Sequence, residues 1–234
     1  MIKTGCCGFA TSKEEYYNTF PAVEVQQIFY QPPALNVLDR WRNEAPPGFE
    51  FTIKAWQLIT HTTSSPTYRK LRYRIHEENK GHFGSFMPSD EVYRAWDMTV
   101  ACAEVLGSKI VVFQSPSSFT PSPDNKKNMK KFFKKIKRKN LTLVWEPRGE
   151  WAEEDISRIC KEFKLVHCVD PFKSKTTAGK INYFRLHGKE GGYRYKYTKS
   201  DLAELKKMCK KSLSYCMFNN MYMLEDAGEF KKIA

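Results

Sequence analysis

Ionisable side chains occur near the ends of several short, strand-like segments of this chain. Side chains alternate in direction along a strand, so residues two apart share a face. One predicted face, otherwise apolar, carries Glu24, Lys54, Gln114, Glu146, Arg148, Asp170, Arg185, His187 and Asn220. Carboxylates beside cations and a histidine displace one another's pKa values, which is typical of sites for acid–base chemistry.

The chemistry of each group indicates a role. Glu146 lies two residues before Arg148 on the predicted inward face, and we interpret it as a general base. Arg148 and Arg185 are suited to bidentate binding of a carboxylate or phosphate. His187 is suited to proton transfer near neutral pH, and Lys54 to an electrophilic or, if desolvated, a Schiff-base role. The catalytic candidates are Glu146, His187, Lys54, Asp170 and Glu24.

The same cluster has a structural interpretation and a metal-binding one. Buried charges need partners, so these groups would also form a self-neutralising ion network. The carboxylates with His61 and His187 would make an acceptable set of oxygen and nitrogen ligands. However, cations in the same space compete for the carboxylates, and no HExxH or paired-cysteine spacing is present. We therefore assign no metal ligands, and the sequence identifies no cofactor.

Eight strand-like segments must position these residues. They begin at Ile2, Val23, Phe49, Ile110, Thr142, Lys164, Ile181 and Ser214. Helical patterns separate most of them, and this alternation predicts a parallel sheet. Eight repeats favour closure, because a closed barrel leaves no exposed edge. We predict an α/β fold of one domain over residues 1–234, a TIM-like (β/α)8 barrel in which the strands' carboxyl ends meet at one mouth.

The helical segments carry recognisable signals, with two exceptions. Ser12 with Glu15 predicts a capping box, and Ser89 predicts the start of a longer helix. The lysine-rich segment 126–139 has its apolar residues at helical spacing, so we interpret the lysines as the solvent face of an outer helix. Residues 171–180 lack a clear helix. Residues 62–88 form a long insertion after the third strand, and such loops are usually functional or disordered.

Two loops expected at the barrel mouth alternate cations with aromatic rings. The first is TYRKLRYR in the insertion, and the second is GKEGGYRYKY after the seventh strand. Rings stack on bases while cations neutralise phosphates, and phosphate often binds after the last two strands of this fold. The predicted substrate-binding residues are Arg148, Arg185, Gln114, His61, Tyr30, Asn219, Asn220, Arg69, Arg72, Tyr193 and Arg194.

The bulk composition limits the classes of protein. The 234 residues carry 39 Lys and Arg against 26 Asp and Glu, a formal net charge of +13 that favours anionic partners. No apolar run has the length of a membrane span, and no targeting signal is recognisable. Seven scattered cysteines without a CxxC pair indicate reduced thiols. We expect a cytoplasmic protein with no membrane partner, whose oligomeric state the sequence does not define.

Several motifs in their order and spacing resemble the YecE-like family, a domain of unknown function (number 72). They are GCCGF, FPAVEVQQIFYQPP, FTIKAWQLITH, VVFQSPSSF, VWEPRGEW, YFRLHG and CMFNN. The chain departs from the family where Cys6, Cys7 and Phe9 replace parts of the usual GTSGW, and at Gln26 and Gln27. The resemblance implies a TIM-barrel-like fold over nearly the whole chain and implies no reaction.

These observations favour an enzyme over a binding protein. Simple binding rarely needs carboxylates and cations in one cavity, so we interpret the chain as an enzyme of acid–base chemistry. Its substrate would be phosphorylated or a nucleic acid, and hydrolysis is one reaction class that the cluster would serve. The alternative is a non-catalytic protein that binds nucleic acid or another anionic ligand. Chemistry on a neutral sugar would suit paired carboxylates but leaves the basic loops unexplained.

Overall fold

The eight apolar segments form a closed parallel sheet in the computed structural model, which describes residues 1–234. The strands are β1 (Ile2–Cys7), β2 (Ala22–Val25), β3 (Glu50–Lys54), β4 (Ile110–Gln114), β5 (Thr142–Glu146), β6 (Val166–Val169), β7 (Asn182–Leu186) and β8 (Ser214–Phe218). Each strand pairs in parallel with the next, and β8 pairs with β1. The predicted (β/α)8 barrel in a single domain is therefore confirmed.

Nine α-helices connect the strands and cover the barrel. They are α1 (Lys13–Thr19), α2 (Gln27–Tyr30), α3 (Leu35–Glu44), α4 (Gln57–Thr60), α5 (Asp90–Leu106), α6 (Pro123–Lys135), α7 (Glu153–Glu162), α8 (Lys199–Met208) and α9 (Met223–Ile233). Ser12 and Ser89 cap their helices as predicted. The reciprocal capping box forms not at Ser12 but at Thr198, because the Glu15 carboxylate accepts a hydrogen bond from Thr11 instead.

Several strands are shorter than the sequence indicates. The segment VEVQQIFY, predicted as one strand, is strand only to Val25, and α2 follows from Gln27. A short apolar run has no period that separates a strand from a buried helical turn, so its boundary is poorly defined by sequence. The consequence for function is that Phe29 and Tyr30 lie on a helix above β2.

The core has an outer and an inner part. Outward strand residues pack against the helices in one large apolar cluster, in which Phe113 contacts Trp96 of α5 and Phe132 of α6. Inward residues fill the lower barrel with a smaller cluster that includes Val112, Val144 and Tyr183. The next inward position towards the carboxyl end of each strand is therefore the floor of the mouth.

Two connections depart from regular strand–helix alternation. The β6–β7 connection contains no helix, as the sequence indicated for residues 171–180. The insertion at 62–88 contains two short 3-10 helices, Pro66–Lys70 and Glu77–His82, and buries Phe83 and Phe86 against the core. None of the helices has the length and apolar character that crossing a bilayer would require.

Candidate functional site

Arg185 is the centre of an ion network at the carboxyl ends of the strands. It lies on β7 with its side chain inward and only 1% of its surface exposed. One guanidinium nitrogen, Nη1, donates to Glu146 and, over 3.1 Å, to Gln114 Oε1. The other, Nη2, lies 3.0 Å from Glu24 Oε1. The planar fork of one arginine therefore joins carboxylates from β2 and β5 across the barrel.

Glu146 is held between two arginines. Besides its contact with Arg185, its Oε1 accepts a 2.9 Å hydrogen bond from Arg148 Nε. Burial would raise the pKa of this carboxyl, but the charges of Arg185 and Arg148 outweigh burial and lower it to about 2. A carboxylate this acidic is a weak base near neutral pH. Both carboxylate oxygens of Glu146 are therefore engaged by arginines, and its general-base role stays a prediction.

Glu24 is the second anchor of the network. Its Oε2 accepts a 2.8 Å hydrogen bond from the Tyr183 hydroxyl, which lies 2.7 Å from Thr52 Oγ1. Its Oε1 also accepts from the Gln26 amide. Both carboxylate oxygens of Glu24 therefore have hydrogen-bond or ion-pair partners inside or just above the barrel. Both buried carboxylates, Glu24 and Glu146, are therefore paired with arginines, and Glu24 also binds Tyr183 of the barrel floor.

His187 lies at the rim beside Arg148. Its Nε2 is 2.7 Å from Arg148 Nη2, and because a guanidinium only donates, Nε2 is the acceptor. The ring proton is then on Nδ1, which lies 3.8 Å from Asp170 Oδ2. The same Asp170 oxygen accepts a 3.0 Å hydrogen bond from the His187 backbone. These contacts hold the ring in place, and its Nε2 becomes free only if Arg148 moves.

Lys54 differs from the other charged residues of the mouth because it has no carboxylate partner. It ends β3, and only 5% of its surface is exposed. Its Nζ lies 3.5 Å from the centroid of the Phe29 ring and forms neither a hydrogen bond nor an ion pair. Burial and the charge of Arg185 lower its pKa from 10.5 to about 7, against a smaller opposing effect of Glu146 and Glu24. Its surroundings therefore favour the neutral amine more than those of an exposed lysine do.

These groups surround a cavity of about 300 Å³ in the barrel mouth. The charged residues that line it are all cationic, namely Lys54, Arg148 and Arg185. The polar lining includes Gln114, His61, Tyr30 and Asn219. His61 is neutral, since burial and the nearby Lys54 lower its pKa to about 3. A cavity with this lining is suited to an anion.

A larger cleft of about 660 Å³ adjoins the mouth where the helix between β6 and β7 is missing. Arg148 and Tyr193 line both spaces. The cleft also has Asp170, His187 and the β6–β7 loop residue Lys175 on its walls. A ligand bound in the mouth can therefore extend sideways over the loop.

The structure brings most of the predicted site residues together. Those around the mouth or cleft are Glu24, Lys54, Gln114, Glu146, Arg148, Asp170, Arg185, His187, His61, Tyr30, Tyr193 and Asn219. Asn220 lies elsewhere, since its amide donates to Asp226 and to the backbone of Tyr195. Asn219, rather than Asn220, continues the inward phase of β8. Substrate contact by Asn220 stays a prediction without geometric support.

The predicted arginines of the basic loops lie outside the cavity. Arg69, Arg72 and Arg194 are exposed to solvent and line neither space. Sequence analysis also missed two contributors to the site, Phe29 and Tyr183. Tyr183 lies two residues before Arg185, so its inward phase was a usable signal. Phe29 had no such signal, because its segment was interpreted as a strand.

Solved structures share this fold. A DUF72 family protein of Enterococcus faecalis V583 is 21% identical, with a TM-score of 0.75 over 100% of this chain and 97% of that one. One from Thermotoga maritima MSB8 is 20% identical, with a TM-score of 0.71 over 100% and 98%. Endonuclease IV of Thermus thermophilus is 13% identical, with a TM-score of 0.58 over 100% and 98%. At these identities the likeness concerns the fold alone.

The sequence itself shows the family. No curated protein matches the chain. The family model described as "Protein of unknown function DUF72" matches residues 10–232, which is nearly the whole length. This match agrees with the resemblance inferred from the ordered motifs between GCCGF and CMFNN. The chain belongs to the DUF72 family.

Proposed function

We propose that this protein is an enzyme that binds an anionic, phosphorylated substrate in the barrel mouth and performs acid–base chemistry on it. The observation that carries the proposal is the cationic lining of the mouth, in which Lys54 has no carboxylate partner. Glu24 and Glu146 lie beneath this lining and are occupied by Arg185. An incoming phosphate would therefore meet the positive charge of Lys54, which no internal carboxylate neutralises.

Lys54 supports catalysis over binding alone. A site that only binds an anion is served best by a cation that keeps its charge, and arginine does so. A lysine whose pKa is about 7 exists in both charge states at neutral pH. It can therefore accept a proton from a substrate or return one, which an ion-paired Glu146 with a pKa of about 2 does not do. Lys54 thus replaces Glu146 as our candidate for the acid–base group.

A nucleic-acid binding protein is the second candidate. Arg69, Arg72 and Arg194 are exposed and have no carboxylate partners, so they suit backbone phosphates. The likeness in fold to an endonuclease is compatible with a nucleic-acid substrate and carries no weight of its own.

We also propose that the protein is cytoplasmic. All seven of its cysteines are free, which fits a reducing compartment such as the cytoplasm.

Calorimetry with ribose 5-phosphate as the probe tests the proposal. We expect Arg148→Gln and Lys54→Met each to weaken binding about tenfold or more at pH 6.5, because each removes a charge-assisted contact worth about 1.5–3 kcal/mol. Lys134→Gln is the matched control, since Lys134 lies in the last turn of α6, away from the mouth. No binding, or equal weakening by Lys134→Gln, would contradict the proposal.

A second variant separates catalysis from binding. Lys54→Arg keeps a positive charge at this position, but the arginine side chain does not release its proton near neutral pH. Once a turned-over phosphorylated compound is found, we expect Lys54→Arg to bind it and to lose turnover by at least about a hundredfold. Retained turnover in Lys54→Arg would favour another acid–base group. Tighter binding of short single-stranded RNA or DNA than of ribose 5-phosphate, without turnover, would favour the nucleic-acid binding protein.

A further inference from the structure

The Lys54 amine is an uncommitted nucleophile inside the mouth. Its Nζ faces the Phe29 ring and the cavity, and no acceptor or carboxylate engages it. Every other amine or guanidinium that lines this cavity is paired, since Arg148 and Arg185 both contact Glu146. The Lys54 amine therefore has no polar partner in the protein.

We propose that Lys54 forms an imine with a phosphorylated aldehyde or ketone. The inference rests on the proposed function, because the cationic lining of the mouth would hold the substrate's phosphate. It adds the class of functional group that reacts, a carbonyl carbon. The cavity volume of about 300 Å³ lies at the lower end of the range for small-molecule sites. It therefore suits a compound of few carbons, such as an open-chain phosphorylated sugar.

The step balances without an oxidant or reductant. The neutral Nζ attacks the carbonyl carbon and forms a C–N bond, while the π electrons of the carbonyl move to its oxygen. Proton transfer from nitrogen to that oxygen gives a carbinolamine. Solvent protonates the carbinolamine hydroxyl, which leaves as water while the nitrogen lone pair forms the C=N bond. The product is a protonated imine, an electron sink that acidifies the neighbouring C–H bond.

The surroundings of Lys54 keep enough of the amine neutral for this attack. The charged groups that face it are Arg185 on β7, Glu146 on β5, Glu24 on β2 and Arg148 beyond β5. Burial and Arg185 act against the ammonium form, and the two carboxylates compensate only in part, because Arg185 shares them. His61 adds no charge near neutral pH, since its pKa is about 3. A desolvated lysine beside other cations is a recognised arrangement for an imine-forming amine.

Borohydride trapping tests the inference. The full chain is incubated with glyceraldehyde 3-phosphate, reduced with sodium borohydride and measured by intact mass and peptide mapping. We expect one adduct, with the mass of the probe less one oxygen atom, on the peptide that contains Lys54. The unphosphorylated aldehyde, glyceraldehyde, should label that peptide at least tenfold less. Lys54→Met should show no specific adduct, and Lys134→Gln should be labelled as the wild type is.

The controls separate failure of the imine from failure of the proposed function. Binding of ribose 5-phosphate that depends on Lys54 and Arg148, without any adduct from glyceraldehyde 3-phosphate, would overturn the imine and leave the proposed function standing. Absence of both binding and adduct would overturn both. Equal labelling of many surface lysines, or an undiminished adduct in a folded Lys54→Met protein, would also overturn the imine. Circular dichroism of the Lys54→Met protein establishes that it is folded.

Discussion

At the scale of single residues, the mouth holds more cations than carboxylates. Arg185 contacts both Glu24 and Glu146, and Glu146 is also contacted by Arg148. No carboxylate is left to pair with Lys54. Because a buried ammonium group without such a partner is unfavourable, the pKa of Lys54 is lowered. The chemistry we assign to Lys54 therefore follows from the ion pairs that Arg148 and Arg185 form with the two carboxylates.

The depressed pKa of Lys54 predicts a pH-dependent stability. Below pH 7 the lysine is protonated in the folded and unfolded protein, and the folded state bears the full cost of the buried charge. As pH rises from about 7 to 10.5, the unfolded state binds more protons, so the free energy of unfolding gains on the order of 5 kcal/mol from this group. Urea unfolding of wild type and Lys54→Met at several pH values measures it.

The control for this prediction is the difference between the two proteins. Other groups titrate in both, whereas Lys54 titrates only in the wild type. We expect Lys54→Met to be the more stable protein at pH 6, and its advantage to shrink steadily towards pH 10.5. A stability difference that stays constant over this interval would mean that Lys54 has an ordinary pKa in the folded state.

Loss of Arg185 should be costly because two buried carboxylates depend on it. We predict that Arg185→Met lowers the free energy of unfolding by about 3–5 kcal/mol, since it leaves Glu24 without its ion-pair partner. Adding Glu24→Gln should recover part of the loss, while Glu146 keeps Arg148. Denaturant unfolding of the single and double variants measures both effects. A double variant that is less stable than Arg185→Met would argue against this account of the network.

Much of the residue cluster was predictable from the alternation of side chains along each strand. Glu24, Lys54, Gln114 and Arg185 were correctly expected at one mouth. The chemical state of each was not predictable, because the pKa of Glu146 depends on partners from β7 and the loop after β5. The phase at the end of β8 was also misjudged, since Asn219 and not Asn220 continues inward.

At the scale of elements, β1 and β2 approach each other too closely for a side chain at Gly5. A Cβ added there would lie 2.2 Å from the carbonyl oxygen of Ala22. We predict that Gly5→Ala lowers the free energy of unfolding by about 2–3 kcal/mol, because the paired strands must separate. Thermal or denaturant unfolding measures the change.

Gly228 in α9 provides a matched control for this substitution. A Cβ added there meets no atom within 4 Å. Gly228→Ala should therefore stabilise the protein by about 0.5–1 kcal/mol, as alanine favours helix. If Gly5→Ala is as well tolerated as Gly228→Ala, the close approach of β1 and β2 is not a constraint on the barrel.

The elements themselves were mostly predictable, because eight apolar segments alternate with helical patterns. The missing helix at 171–180 was also visible as a segment without helical spacing. What failed was the boundary after β2, where no glycine or proline marks the change from strand to helix at Gln26 and Gln27. That boundary matters for the site, because the helix that begins there places the Phe29 ring beneath the Lys54 amine.

At the scale of the whole molecule, much of the positive charge lies away from the mouth. Several lysines of the outer surface are in ion pairs, such as Lys126 with Asp155 at 2.6 Å and Lys139 with Glu104 at 2.7 Å. Surface pairs of this kind contribute little to stability. The net charge of +13 is therefore a property of the whole surface, and it does not locate the site.

The salt dependence of binding distinguishes a pocket from a polyanion surface. A ligand held by a few cations in the mouth releases few counterions, so we predict that affinity for ribose 5-phosphate falls less than about tenfold between 50 and 200 mM salt. A nucleic-acid surface with many phosphate contacts would lose about a thousandfold or more over that interval. Calorimetry at the two salt concentrations measures the difference. A steep loss for the small ligand would contradict a confined site.

Direct titration of Lys54 by nuclear magnetic resonance tests the central claim. In protein labelled at its lysine side chains, Lys54→Met identifies the resonance by its disappearance. We expect a midpoint near pH 7 in the free protein, and a higher midpoint when inorganic phosphate occupies the mouth and favours the charged amine. A midpoint near the ordinary lysine value of about 10.5, unchanged by phosphate, would contradict it.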